Sequence, residues 1–401
     1  MISIVRKDAC TGCAACYNTC NVNAIKMIPD EYGFLCPIVN ESLCVKCKKC
    51  TTVCPVLNSK GNSENWIEPK VYAAWSLDKE VRYNSTSGGI FSELAIKILN
   101  ENGLVVGARY NNLNLVEHDI ISTIGELSFL RQSKYLQSEI GDVYKRIYLE
   151  LEKGRLVSFC GSPCQVDGLQ RFLGKKYPNL ATFDFICRGT NSPKAYSRFL
   201  EMLELKYKSP VYNIWFKNKT YGWNRFSTRI EFENGKLYNR DRYHDLFMRG
   251  YIEENLYMRS CCFNCKYKNL PRVSNITLAD FWGVGDYYSY LDDDKGTSLI
   301  LINNEIGDML FDKIKKNVFS QEMKLAHALK GNVSIFNSAE ENANSKKFLL
   351  MLDNFAFDKS FKTCVKNYKL KQFKKKILRY FYKFKNKIKT LIKINLNTYT
   401  L

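Results

Sequence analysis

Histidine is scarce in this 401-residue chain, which has three. That is too little imidazole for His-rich zinc or copper chemistry to be the main theme. No run approaches ~18 consecutive apolar residues, so no membrane-spanning helix is expected. The stretch Met1–Asp8 has no apolar h-region and Cys10 follows at once. No signal peptide is therefore expected, and the compartment reads as cytoplasmic. No Gly-x-Gly-x-x-Gly follows any strand-like run, and the nearest match, Gly283-Val284-Gly285, lacks its third glycine. This argues against a Rossmann nicotinamide site. Acidic residues disappear after Asp358: the rest of the chain has 14 Lys and Arg and no Asp or Glu. The formal net charge of +20 is thus mostly one segment, and residues 1–358 carry 46 basic against 40 acidic side chains.

Cysteine is what the chain has in plenty, with sixteen residues. A reducing cytosol speaks against a disulfide framework, and soft thiolate sites point to iron–sulfur clusters or zinc. A hydrophobic share of 45% is ordinary for a globular protein. At roughly 100–200 residues per domain, the length suggests two or three domains.

Nine cysteines fall within residues 1–57. Cys10-x-x-Cys13-x-x-Cys16-x-x-x-Cys20 is followed by Cys44-x-x-Cys47-x-x-Cys50-x-x-x-Cys54-Pro55. This doubled run is the bacterial ferredoxin signature, in which the fourth cysteine of each run ligates the other cluster. The expected sets are Cys10, Cys13, Cys16 and Cys54 for one 4Fe-4S cluster, and Cys44, Cys47, Cys50 and Cys20 for the second. A pair of zinc sites fits less well, because zinc takes two Cys-x-x-Cys pairs per ion, not two triplets each with an outlying fourth cysteine. Asn21 stands where the motif usually has Pro, and Cys36 reads as a small buried hydrophobe.

A polar stretch from Leu57 to Asn65 reads as a linker. Beyond it, strand-like runs at Val71–Trp75, Leu104–Tyr110, Arg155–Cys160, Leu180–Ile186 and Ser298–Ile302 alternate with helical patterns at Ile90–Leu99, Gln165–Leu173, Pro193–Lys206 and Ile306–Lys316. That alternation predicts an α/β core. Val211–Lys217 and Phe226–Phe232 have strand character with no helix between them, so a mixed or antiparallel addition is expected there.

The later cysteines place Cys164 at a helix start after a predicted strand, Cys187 after another, and Cys262 and Cys265 as a pair. Strand ends that meet helix starts on one sheet edge are where sites gather. Together the four could complete a thiolate site, for which spacing alone leaves zinc, a third cluster and buried thiols open. Ser87-Gly88-Gly89 sits between a strand and a helix, either as an anion-binding turn or as a simple cap.

The order of motifs is specific. The doubled ferredoxin run is followed by Ser87-Gly88-Gly89, Ser133-Lys134-Tyr135-x-Gln137-Ser138, Gly161-x-Pro163-Cys164-Gln165, Cys187-x-Gly189, Cys262-x-x-Cys265 and Asp280-Phe281-Trp282-Gly283. In this the chain resembles the coenzyme F420 hydrogenase/dehydrogenase beta-subunit family over roughly residues 1–305. The resemblance implies an FAD-containing oxidoreductase, with Ser87, Gly88, Gly89, Ser133, Lys134, Tyr135, Gln137 and Ser138 at the flavin site. It also implies Cys164, Cys187, Cys262 and Cys265 as ligands of a third 4Fe-4S cluster. Ser162 stands where the family often has Thr, and Arg188 where His is common, which puts a proton-relay role there in doubt. Cys160 and Cys261 are extra thiols able to substitute as ligands.

The expected fold is therefore α+β / α/β: a small ferredoxin-like iron–sulfur domain (1–57), a larger mixed α/β flavin-binding core (70–305) and a helical region with a basic tail (306–401). The expected function is electron transfer between the clusters, FAD and an organic substrate or deazaflavin-type coenzyme. The alternative is a non-catalytic adaptor between a ferredoxin and a partner enzyme. Apolar positions in Phe373–Ile394 recur at spacings of mostly three and four among lysines. This stripe reads as an amphipathic helix for an anionic membrane surface at the inner face or for a redox partner, and equally as a solvated helix. Nucleic acid is not expected, since no motif for it accompanies the charge. Spacing does not single out a proton donor among His244, His118 and Asp280. Trp215, Trp223 and Trp282 read either as ring-stacking residues or as core.

Overall fold

The computed structural model describes residues 4–58 and 67–365. Most of the expected linker and the whole of the expected basic helix lie outside the described residues. Among the described residues no helix is long and apolar enough to cross a membrane.

The N-terminal part is small. Ile25–Pro29 pairs antiparallel with Leu35–Val39. Two four-residue helices, Ala15–Asn18 and Lys49–Thr52, begin directly after left-handed residues Ala14 and Lys48. Each helix carries the third cysteine of its run, so the two runs fold alike.

The core is built on a nine-stranded sheet. Its order is Val318–Met323, Lys70–Ser76, Ser298–Ile302, Ile276–Asp280, Leu180–Phe185, Val157–Cys160, Leu104–Tyr110, Val116–Ile121 and Ser138–Glu139. The four central strands, from Ile276–Asp280 to Leu104–Tyr110, run parallel, and antiparallel strands flank them. Parallel strands are buried on both faces, and successive residues show it. Val105 joins Ile90, Leu94 and Ile98 of the Ile90–Asn100 helix on one face. Val106 joins Val166 and Leu169 of the Pro163–Leu173 helix on the other. The expected run at 211–232 forms a separate three-stranded antiparallel sheet with Leu237–Asp241.

The core also extends past residue 305. Val318–Met323 completes the main sheet against Lys70–Ser76. Helices Ser345–Met351 and Phe357–Cys364 bring Phe348, Phe357 and Phe361 into the same aromatic cluster as Phe199 and Phe247. Up to Val365 the region expected as a separate helical unit is thus part of the core. The physical reason is that both faces of the sheet and of the antiparallel addition need apolar cover.

The cysteine domain is docked firmly on the core. Asn18 Nδ2 donates to the Gly141 carbonyl at 2.9 Å, and Ser192 Oγ to the Tyr32 carbonyl at 2.5 Å. The Leu35 amide donates to Gln137 Oε1 at 2.8 Å.

Candidate functional site

Four parallel strands end on one edge, and a cavity of about 570 Å³ opens there. Its walls include Cys160 and Gly161 after one strand, Phe185 to Thr190 after the next, and Leu278 to Asp280 at the end of the third. Sheet topology puts ligands at this edge because loops from neighbouring parallel strands splay apart there.

One wall is the turn before the Ile90–Asn100 helix. Gly89 caps this helix with a φ of +94°, a conformation that favours glycine. Gly88 faces away from the cavity: its amide donates to Ser298 Oγ at 2.9 Å, and a Cβ would fall 2.4 Å from the Ala74 carbonyl oxygen. Ser87 and Gly89 line the cavity, as do Ser133, Lys134, Tyr135, Gln137 and Ser138. Thr86 ties the two segments together, its hydroxyl accepting from the Ser133 amide at 2.9 Å.

These residues do different things. Lys134 is half-buried and donates to the Arg131 carbonyl at 2.7 Å, and desolvation pushes its pKa down to about 7. Gln137 turns its amide onto the Leu35 backbone of the cysteine domain, so it joins the cavity wall to that domain. Ser138 serves His118. The ring's Nε2 lies 3.1 Å from the Cys160 carbonyl, which can only accept. A neutral ring donating there accepts at Nδ1 from Ser138 Oγ at 2.6 Å. Burial pushes His118 down to about 4, which keeps it neutral.

The opposite wall combines Asp280 and Trp282 of the Asp280-Phe281-Trp282-Gly283 segment with basic residues that no motif announced. Lys217 pairs with Asp280 and sits 4.7 Å over the Trp282 ring. Trp282 stacks on the buried Trp223 at 4.7 Å and 7°, and Trp223 Nε1 donates to Asp280 at 2.9 Å. Of the three tryptophans weighed from the sequence, Trp282 alone lines the cavity. Arg242 and Arg188 also reach it. Arg188 donates to Asn255 Oδ1 at 2.7 Å and leaves its buried Nε without a partner. His244 pairs with Asp241 and lies outside the cavity walls. Lys217, Arg242 and Arg188 come from separate elements, so no spacing rule could have grouped them.

Cysteines occupy the third side. Cys187 lines the cavity and lies in the electrostatic reach of Cys262 and Cys265. Cys164 faces Cys187, Cys265 and, across the domain junction, Cys13. Cys262 accepts from the Thr190 amide at 3.4 Å and lies against Cys261. Cys160 faces Asp184 and Lys134 instead. Burial pushes Cys187 up to about 12 and Cys164 well above the usual thiol value. Such thiols stay protonated until a metal takes the proton's place.

In the N-terminal domain Cys10, Cys13, Cys16 and Cys54 are all buried and act on one another. Cys44 and Cys47 face Cys50, and Cys20 joins Cys44 and Cys50 around Ile25 and Val39. Backbone amides point at sulfur in both groups, Gly12 N to Cys10 and Ala24 N to Cys20, each at 3.3 Å. Amide donors of this kind suit an electron-rich thiolate cluster. Among the described residues no group of three or more His, Cys, Asp or Glu is arranged to hold a single metal ion.

Arg259 joins the two cysteine regions, and no motif singles it out. It is 2% exposed. Its guanidinium donates to the Cys10 carbonyl at 2.6 Å, the Leu35 carbonyl at 3.1 Å and Cys36 Sγ at 3.1 Å. Cys36 is thus a hydrogen-bonded thiol beside Cys10, not a mere apolar filler. The one signal in the sequence is a basic residue two positions before Cys261.

A doubled thiolate domain seated on an α/β core with a cavity at its strand ends defines an iron–sulfur redox protein. Comparison with known proteins agrees. Residues 9–58 match the profile of the 4Fe-4S dicluster domain. Residues 154–326 match the profile for the C terminus of the coenzyme F420 hydrogenase/dehydrogenase beta subunit. Residues 154–326 thus resemble the C-terminal part of that beta subunit, and residues 9–58 a dicluster domain. A chain of the F420-reducing NiFe hydrogenase complex from Methanosarcina barkeri, solved as a xenon derivative, is similar at 16% identity and a TM-score of 0.43. The similarity covers 76% of this chain and 94% of that one. No curated protein matches.

Proposed function

We propose that the chain is an iron–sulfur flavoprotein oxidoreductase. In this reading Cys10, Cys13, Cys16 and Cys54 hold one 4Fe-4S cluster, and Cys44, Cys47, Cys50 and Cys20 a second. Cys164, Cys187, Cys262 and Cys265 hold a third, and FAD occupies the cavity beside an organic substrate or deazaflavin-type coenzyme. One observation carries the reading: Cys164 lies within electrostatic reach both of Cys187 on the cavity wall and of Cys13 in the ferredoxin domain. Gly168 of the Cys164 helix packs closely on Cys13: a Cβ there would stand 3.0 Å from its Cβ and 3.1 Å from its Sγ.

A flavin supplies exchange between hydride pairs and single electrons. The chain's own residues do the rest. Lys134 holds a titratable cation at the wall, Arg188 and Arg242 hold fixed ones, and all three suit an anionic ligand. Asp280, pinned by Lys217 and Trp223, orients the Trp282 ring along the cavity. The cavity's volume lies in the ~300–1,000 Å³ range of small-molecule sites, which favours an enzyme over a closed electron-transfer adaptor.

Anaerobic purification followed by iron and flavin analysis tests this. The expectation is about twelve irons and one FAD per chain. Zinc without flavin sinks the proposal. About eight irons with FAD removes the third cluster alone.

A further inference from the structure

We propose that the loop from Leu43 to Lys49 is a docking face for an acidic one-electron carrier protein, and that the cluster behind it is where electrons enter or leave the chain. The proposal rests on the two-cluster reading of the N-terminal domain and adds a surface and a partner to it.

The two cysteine groups are not equally placed. Cys10, Cys13, Cys16 and Cys54 are buried, whereas Cys47 is exposed and Cys44 and Cys50 are half-buried. Apolar side chains around the second group are open to solvent, Leu43 at 51% and Val45 at 65%, and Val22 beside Cys20 is exposed too. Lys46, Lys48 and Lys49 are exposed as well. None of these lysines makes an ion pair with a described residue. From residue 32 to 63 the sequence has one acid, Glu41, against Lys46, Lys48, Lys49 and Lys60.

The lysines also sit where the backbone does not favour them. Lys46 and Lys48 have φ of +55° and +62°, a conformation that glycine or asparagine adopts with less strain. An apolar centre rimmed by charge of one sign suits a brief, electrostatically steered encounter with an acidic protein. Electron-transfer complexes of this kind are small interfaces. In the encounter one electron leaves the carrier's reduced centre and enters the cluster behind Cys47. The carrier is oxidised by one electron and the cluster reduced by one, with no bond or proton moved. The reverse direction obeys the same balance.

The test uses the full chain, reconstituted anaerobically, with a reduced acidic bacterial ferredoxin as the probe in stopped flow. The second-order rate is expected to fall steeply with added salt. The combined variant Lys46→Glu, Lys48→Glu, Lys49→Glu is expected to react about tenfold or more slowly and to lose that salt dependence. Its iron content and the EPR intensity of its reduced clusters show that the clusters are in place. A matched reversal at Lys206, Lys208 and Lys236, around the far end of the Pro193–Tyr207 helix, is expected to keep the parent rate. An unchanged rate in the first variant, or an equal loss in the second, overturns the proposal. So does retention of the parent, but not the first variant, on phosphatidylserine vesicles with the ferredoxin rate unmoved, since that makes the face a membrane surface. Fewer than about eight irons per parent chain instead overturns the two-cluster reading beneath it.

Discussion

Thr11, Gly12, Ala14 and Ala15 fill the same places between cysteines as Val45, Lys46, Lys48 and Lys49. The backbone treats the two loops alike: Gly12 and Lys46 have φ of +70° and +55°, and Ala14 and Lys48 have +58° and +62°. Yet the first loop is buried and the second faces solvent. The residues between the cysteines decide this, not the ligand spacing. At Gly12 a Cβ would stand 2.3 Å from Gln137 Nε2 and 2.8 Å from Arg259 Nη1. The absent side chain is what lets the core close over the first loop. Two copies of one motif thus face different surroundings, one the core and one solvent.

Exchanging the loops should break this contrast most visibly. Gly12→Lys meets both the positive φ and the Gln137 contact. It is predicted to destabilise the chain by about 3 kcal/mol or more and to lower iron content, measured by denaturant titration and iron assay. Lys46→Gly is predicted to be neutral or stabilising by up to about 1 kcal/mol. A symmetrical effect would show that the two loops are equivalent after all.

Accessibility gives the second test. A ferrous chelator should remove iron from the loaded chain in two phases, with about four irons leaving at least tenfold faster than the rest. Cys47→Ser should remove the fast phase and leave the slow one. Single-phase loss would contradict the difference in burial.

A smaller effect is expected at Arg259. Among the described residues this buried cation has no carboxylate partner; carbonyls, the Cys36 thiol and the Phe34 ring surround it, and such a charge is stable only beside compensating anions. Thiolate clusters on both sides would supply them. Arg259→Met is predicted to make the buried cluster's reduction potential more negative and to leave the exposed cluster's unchanged. EPR-monitored redox titration reads both, and equal shifts would mean that the cation serves neither region in particular.

The smallest effect concerns the cavity. Folded Lys134 titrates near 7 instead of the usual 10.5 because the cavity wall desolvates it. Between those values unfolding takes up a proton, so stability is lost as pH falls through that window. Lys134→Met should therefore stabilise the cofactor-free chain at pH 7, by about 2–4 °C per kcal/mol recovered. The gain should fade toward pH 10. A gain that does not depend on pH would mean that packing, not charge, is responsible.

Local patterns carried much of the fold. The strands at Leu104–Tyr110 and Ser298–Ile302 fall on the residues their apolar runs marked, and the Pro193–Tyr207 helix begins where Ser192 and Pro193 signal it. Ile276–Asp280 escaped notice although it is central in the sheet, because five residues ending in a carboxylate carry too little periodicity to stand out. Val318–Met323 escaped for a similar reason: as an edge strand it buries only its two end residues.

The division for function is sharper. Sequence by itself marked the doubled cysteine run of the dicluster domain, since cysteines at fixed spacing are a local pattern. It also marked most of one cavity wall, where neighbours in the chain are neighbours in space. Only tertiary structure decided that Gln137 joins that wall to the cysteine domain, that Lys217, Asp280 and Trp282 form the other wall, and that Arg259 lies between Cys10 and Cys262. Burial and charge pairing here depend on residues 63 to 249 positions apart, and no spacing rule reaches that far.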